Sequence, residues 1–169
     1  MNIDSILNEE YRRVEERGAF GVPNHYVVNL TDENMKDEFL YELTTAMADR
    51  ELRPFHALDR WLYFSLDGSK ERLLTYKGII QSSAVYDNYF EGVLAFEASA
   101  LILPVNSEAR ETFYNIVSST EFSQHATIII FLSELTSDNA KHFLLGLGKR
   151  LEYKNVEFKQ NEMRFVYEK

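Results

Sequence analysis

The chain has 169 residues, a formal net charge of -9 and a hydrophobic fraction of 45%. This length fits a single domain over 1–169, and the apolar fraction is enough to fill a core. The acidic balance argues against direct binding to nucleic acids or to an anionic membrane. With no cysteine, the chain excludes disulfide frameworks, thiolate metal sites and cysteine nucleophiles.

The first segment, 1–18, predicts a helix over 3–17 that lies on the rest of the domain. Its apolar positions share one stripe, namely Ile3, Ile6, Leu7, Tyr11 and Val14, and Gly18 is suited to end it. The alternative is that this helix pairs with a second copy and makes a homo-oligomer. Acidic residues stand where a signal peptide needs a basic start, and no stretch reaches the ~18 apolar residues of a membrane span. We therefore expect a cytoplasmic location.

A short strand and a second helix follow. The strand is HYVVNL at 25–30, and Thr31 can cap a helix over 31–51. Four residues of this helix recur every four positions and predict its buried side: Met35, Phe39, Leu43 and Met47. Pro54 stops the helix.

The middle of the chain reads as a strand at 60–66 followed by an ambiguous segment at 70–85. Asp67-Gly68 is a turn signal, and the segment after it fits a helix or a strand returning from that turn. Gly78 and the β-branched pair that follows it favour the hairpin.

Alternating residues predict a long strand after a turn at 86–91. The alternation runs through 90–102, which favours an antiparallel strand with one wetter face. A third helix is predicted at about 107–119.

The clearest unit is 125–153, a strand followed by a helix. The strand, Ala126 to Leu132, is almost wholly apolar and should be covered on both faces. Gly146 and Gly148 lie within the helix pattern, where they would allow close approach of a neighbour. The last segment, 156–167, predicts a strand or a hairpin.

Two short sequences resemble each other within the chain. LTDENMK at 30–36 and LTSDNAK at 135–141 share four of seven positions. They suggest a pseudo-repeat of 25–66 and 125–167, although helix capping alone would produce the same pattern. The predicted fold class is α+β, an antiparallel or mixed sheet with three to four helices, with two ferredoxin-like β-α-β halves if the repeat is real.

Local motifs for chemistry are missing. The histidines, His25, His56, His125 and His142, have no metal-ligand spacing, and the chain lacks GxxxxGK[ST], GxGxxG and GxSxG. We therefore predict no catalytic residue, no metal and no cofactor, which favours a role other than that of an enzyme.

Aromatic and acidic residues of the central region are the remaining candidates, and they predict a surface for a protein partner. They are Trp61, Tyr63, Tyr86, Asp87, Tyr89, Phe90 and Glu91. Aromatic residues ringed by acids are typical of binding hot spots and suit a basic partner. The sequence thus favours a regulatory protein of the inhibitor, immunity or adaptor type that masks a partner. The alternative is an enzyme or small-molecule sensor whose site is assembled across strands.

Overall fold

A six-stranded sheet organises the residues that the computed structural model describes, which are 2–17, 23–32, 34–51, 60–84, 89–102, 107–133, 137–159 and 162–166. The strands are β1 (Tyr26–Leu30), β2 (Trp61–Ser65), β3 (Gly92–Glu97), β4 (Ala126–Ser133), β5 (Lys154–Lys159) and β6 (Glu162–Val166). The α-helices of these residues are α1 (Ile3–Arg17), α2 (Met35–Glu51), α3 (Lys70–Ser82), α4 (Ser107–Ser118), α5 (Thr120–Ser123) and α6 (Asp138–Gly148). A 3-10 turn, Ser99–Leu101, follows β3.

The sheet is mostly parallel. Its strand order is β2-β3-β4-β1-β5-β6, and only the β5–β6 pair among these neighbours is antiparallel. Val28 of β1 lies opposite Phe131 of β4 and Val156 of β5. Parallel neighbours require long connections, and in this fold those connections carry helices that cover both faces of the sheet.

Helices form one layer on each face because alternate strand residues point to opposite sides. The first layer is α1 and α2, and the second layer is α3 to α6. In the first layer the Phe39 ring lies 4.7 Å from that of Phe131 and 5.3 Å from that of Phe158. Full burial of such a ring stabilises the fold by about 1.5–3 kcal/mol. In the second layer, Phe113 packs edge-on against Phe96.

The predicted mixed sheet with helices is confirmed. The described residues hold six α-helices instead of three or four, because α3 and α5 were not expected. The predicted hairpin of the last segment is present as β5 and β6. Within the described ranges, no helix combines the length and the apolarity needed to cross a membrane. One domain over 1–169 stays a prediction.

The hairpin predicted for 70–85 is wrong, since the structure has α3 there. Ser69 caps this helix by accepting a hydrogen bond from the backbone N–H of Arg72. Leu73 and Ile80 are buried in the core between the second layer and the sheet, whereas Gly78 has open space around it. Tertiary burial of one helical stripe therefore outweighs the local preference of the β-branched pair.

The antiparallel strand predicted over 90–102 is also wrong. β3 is shorter, and it pairs in parallel with β2 on one side and with β4 on the other. All six of its residues are buried, so the wetter face does not exist. The chain leaves the sheet at Ala98 and enters the 3-10 turn.

Two ferredoxin-like halves are not confirmed. In the strand order, β2 lies on one side of β1, whereas β5 lies on the other side of β4. The units β1-α2-β2 and β4-α6-β5 therefore cross the sheet in opposite directions. Their helices lie in different layers as a consequence. The neighbouring strands β1 and β4 are parallel, and among the described strands no antiparallel pairing joins the two units.

Candidate functional site

The carboxyl ends of β1 to β5 meet along one edge of the sheet because these strands are parallel. After β1 the chain enters α2 in the first layer, and after the neighbouring β4 it enters α6 in the second layer. The connections therefore diverge between β1 and β4. Ligands of open parallel sheets bind in the crevice at such a switch point.

A buried carboxylate lies at this edge. Glu97, the last residue of β3, is 4% exposed. Its Oε1 accepts hydrogen bonds from the backbone N–H of Ser99, at 3.1 Å, and from the Ser99 hydroxyl. Its Oε2 faces Lys36 Nζ at 3.8 Å, which is an ion-pair separation beyond hydrogen-bond length. A carboxylate oxygen offers more than one lone pair, so Oε2 can still accept a hydrogen bond from a donor that lies beside the ion pair.

Lys36 reaches the site from the opposite direction. It is the second residue of α2, and its side chain is 38% exposed. The position at the start of the helix adds the positive end of the helix dipole to the ammonium charge. Asp37 and Glu38, in the same first turn, oppose that charge. The local field therefore favours one compact anionic group near Lys36 and disfavours a highly charged one.

Serines orient the carboxylate and join the strand ends. The Ser99 hydroxyl donates to Glu97 and accepts from the backbone N–H of Ser133, the last residue of β4, at 3.4 Å. Among the described residues this hydroxyl contacts a carboxylate and a backbone N–H, and no imidazole lies on it to activate it as a nucleophile. The arrangement is suited to binding.

Arg110 holds the turn that carries Ser99. This residue of α4 is 8% exposed, and its Nε and Nη2 donate to the carbonyls of Leu101 and Ile102. Its Nη1 lies 3.2 Å from Nδ1 of His142 on α6. Because a guanidinium only donates, that histidine nitrogen accepts. The turn is thus fixed to both α4 and α6.

The first two residues of the predicted partner surface lie on β2. Trp61 and Tyr63 are half-buried, and both pack against the first layer. The Tyr63 ring stacks on that of Phe131 with a centroid separation of 5.9 Å. Burial raises the pKa of Tyr63, which reinforces the neutral form that a phenol already has at neutral pH.

The other predicted residues are in a different place. Phe90 is 2% exposed and belongs to the core of the second layer. Tyr89 stacks on His125 at 3.9 Å and lines a cavity of about 140 Å³, while Glu91 is half-buried. Tyr86 and Asp87 lie outside the described residues. The sheet therefore separates Trp61 and Tyr63 from Phe90.

Sequence reasoning missed the site formed by Lys36, Glu97 and Ser99. It predicted a strand with one wetter face through Glu97, and it interpreted 30–36 as a helix start or as part of a repeat. A charged residue at the carboxyl end of an otherwise apolar strand was the available signal. It becomes informative only when the strand is known to be parallel.

Among the described residues, no group of three or more histidine or acidic side chains could hold a metal ion.

Comparison with known proteins assigns no family. No family model and no curated protein matches the chain. One similar solved structure is the cytoplasmic domain of the type VII secretion ATPase EccC of Thermomonospora curvata, with 9% identity and a TM-score of 0.43. The match covers 79% of this chain but only 19% of that one, so the chain spans about a fifth of its length. Another is a protein of Pyrococcus horikoshii OT3, with 11% identity, 89% of both chains covered and a TM-score of 0.47. At these values neither structure carries a functional argument.

Proposed function

We propose that this protein is a regulatory binding protein that takes a small ligand at the carboxyl edge of its sheet. The observation that carries the proposal is the meeting of Lys36 with the buried carboxylate of Glu97 at the switch point between β1 and β4. One group attracts an anion, and the other accepts a hydrogen bond. Three elements supply the site, which agrees with the sensor alternative predicted from the sequence.

The charges of the site favour a particular class of ligand. A carboxylate can pair with Lys36, while an amine or hydroxyl on the same molecule donates to Glu97 Oε2. Polyphosphates are disfavoured because Asp32, Asp37 and Glu38 surround the entry to α2, where a phosphate loop would present glycines and backbone N–H groups. We therefore propose a small amino acid or hydroxy acid as the ligand.

Calorimetric titration with a panel of amino acids and hydroxy acids, with ATP as the polyphosphate comparison, tests the proposal. Lys36→Gln should weaken binding of a panel ligand by about tenfold. Lys141→Gln is the matched control, because Lys141 is an exposed lysine near the start of α6 at the same edge, and it should change affinity by less than about twofold.

Two results would contradict the proposal. The first is that no amino or hydroxy acid of the panel binds while the protein is folded. The second is that a panel ligand binds Lys36→Gln and Glu97→Gln as tightly as the natural sequence, since both groups contact the ligand in the proposed pose.

Masking of a partner protein is the second candidate function, of the inhibitor, immunity or adaptor type. Trp61 and Tyr63 support it, because these half-exposed aromatic residues lie on β2, an outermost strand in the described sheet. The net charge of -9 suits a basic partner.

Purification of complexes from the natural host tests this second candidate. The masking function requires one stoichiometric partner, and the affinity for that partner should fall by about fivefold or more in Trp61→Ala or Tyr63→Ala. Tyr41→Ala is the control, since Tyr41 is a tyrosine of α2 that is 73% exposed. Unchanged affinity in both β2 variants would refute the role of this surface.

A further inference from the structure

Three aromatic rings of the first layer form a row that ends beside the Lys36–Glu97 site. The rings of Phe39 and Phe131 have centroids 4.7 Å apart, and those of Phe131 and Tyr63 have centroids 5.9 Å apart. Phe39 and Phe131 are fully buried, whereas Tyr63 is half-buried. Of the three rings, Tyr63 is therefore the one that a small molecule can reach.

The Tyr63 ring leans across β3 towards Glu97. Tyr63 lies on β2 and Phe131 on β4, so β3 separates them, and their backbones are roughly 10 Å apart at the usual strand spacing. The ring centroids, in contrast, are 5.9 Å apart. In the strand register Tyr63 is opposite Ala95, and Phe131 is opposite Glu97, the next residue of β3 on the same face. The two rings thus meet above the stretch of β3 that ends in Glu97.

Two further observations place apolar surface next to the polar pair. Leu40 follows Lys36 by one turn of α2, lies on the same side of that helix, and is half-buried against the first-layer core. Burial raises the pKa of Tyr63, and the Glu97 carboxylate adds to this rise, which agrees with a carboxylate close to the phenol. The site therefore combines a cation, a carboxylate and an apolar wall formed by Tyr63 and Leu40.

We propose that Tyr63 and Leu40 select the side chain of the ligand, which is an amino or hydroxy acid with a large apolar side chain. This inference rests on the proposed function, in which Lys36 pairs with the carboxylate and Glu97 accepts from the amine or hydroxyl. A side chain on the carbon between these two groups then lies against the Tyr63 ring, where its burial adds affinity in proportion to its apolar area. Glu97 disfavours a side chain with a second carboxylate, and glycine gains nothing from the wall.

Titrations with leucine, glycine and glutamate, followed by backbone amide NMR at constant ionic strength, test this inference. The three amino acids share the carboxylate and the amine and differ in the side chain. Leucine should bind at least about tenfold more tightly than glycine or glutamate.

Variants of Tyr63 assign this preference to the ring. Tyr63→Ala should weaken the binding of leucine by about fivefold or more and change that of glycine by less than about twofold. Tyr63→Phe, which keeps the ring, should bind leucine several-fold more tightly than Tyr63→Ala. Tyr41→Ala, a change at an exposed tyrosine of α2, is the control and should alter neither affinity.

The outcomes distinguish failure of this inference from failure of the proposed function. Equal affinities for leucine and glycine, both weakened in Lys36→Gln, would overturn the apolar selection and leave the proposed ligand class standing. Equal weakening of leucine and glycine in Tyr63→Ala would show a general disturbance of the site and would also overturn the selection. Absence of binding by all three amino acids and by the hydroxy acid counterpart of leucine would overturn both proposals. Amide spectra of each variant show whether it is folded.

Discussion

Glu10 of α1 accepts a 2.6 Å hydrogen bond from the hydroxyl of Tyr26, the first residue of β1. The Glu10 carboxylate is fully buried and also accepts from the side chain of Asn24, at 2.7 Å, and from its backbone N–H, at 3.0 Å. Burial and the Glu10 contact raise the pKa of Tyr26, so the phenol remains a donor. This cluster joins the first helix to the sheet by polar contacts beside the packing of Ile3 and Leu7.

Removal of the Glu10 carboxylate should destabilise the protein. In Glu10→Ala, the donors of Tyr26 and Asn24 lose their buried acceptor, and we expect the free energy of unfolding to fall by about 2–4 kcal/mol. Urea denaturation followed by circular dichroism measures the change. Glu9→Ala is the matched control, because the Glu9 side chain is 65% exposed, and it should shift the free energy by less than about 0.5 kcal/mol. Equal effects of the two changes would contradict the role of the cluster.

Stability should depend on the protonation of His25. Burial lowers the pKa of His25, against an opposing effect of the Ser123 carbonyl and of Glu10, while Arg13 lowers it further. The unfolded chain therefore binds a proton at a higher pH than the folded chain does. The stabilisation is complete above the ordinary value of 6.5 and is lost as pH falls below it towards the folded pKa.

The measurement for His25 is the urea midpoint between about pH 5 and pH 8. The free energy of unfolding should fall below pH 6.5 by at most about 1.4 kcal/mol per pH unit from this group. His25→Gln should remove this part of the slope, and His142→Gln should keep it, since His142 is exposed. A slope that survives in His25→Gln would assign the effect to other groups.

Two helical glycines should respond in opposite ways to alanine. A Cβ on Gly146 would lie 2.8 Å from the hydroxyl oxygen of Tyr114, which donates to the carbonyl of Phe143. Gly146→Ala should therefore lower the free energy of unfolding by about 1–2 kcal/mol. A Cβ on Gly78 meets no atom within 4 Å, so Gly78→Ala should raise it by about 0.5–1 kcal/mol through helix propensity. Thermal unfolding of both variants checks the signs, and a stabilised Gly146→Ala would contradict the close contact.

Gly92 should not tolerate any side chain. Its φ is +147°, and a Cβ would overlap the carbonyl oxygen of Arg60, which accepts the hydrogen bond from the Val93 N–H. Gly92→Ala combines backbone strain with loss of the first β2–β3 contact, so a loss above about 3 kcal/mol is expected. The yield of folded protein and its urea midpoint measure this loss of stability. A midpoint close to that of the natural sequence would show that this strand start can shift.

Much of the fold follows from the sequence because apolar periodicity is a local property. The buried run of β4 and the four-residue repeat of α2 identify these elements directly. Strand direction is different, since side chains alternate with the same period in parallel and antiparallel strands. The choice between helix and strand for segment 70–82 is not a local property either, because the burial of Leu73 and Ile80 decides it.

For the predicted partner surface, too, the sequence identifies the residues and only the tertiary structure decides which of them are exposed. An aromatic residue such as Phe90 has one sequence signature whether it lies in the core or on the surface, and only packing places it in the second layer. Trp61 and Tyr63 are two residues apart on β2 and therefore share one strand face, and in the structure both pack against the first layer.

The sequence by itself determined an acidic α+β chain with a mixed sheet, the main helices and strands, and the absence of thiol chemistry. The tertiary structure alone decided the strand order, and with it the meeting of Lys36 with Glu97. The physical reason is that local patterns fix which residues are buried, whereas parallel pairing between distant strands fixes which chain ends share an edge.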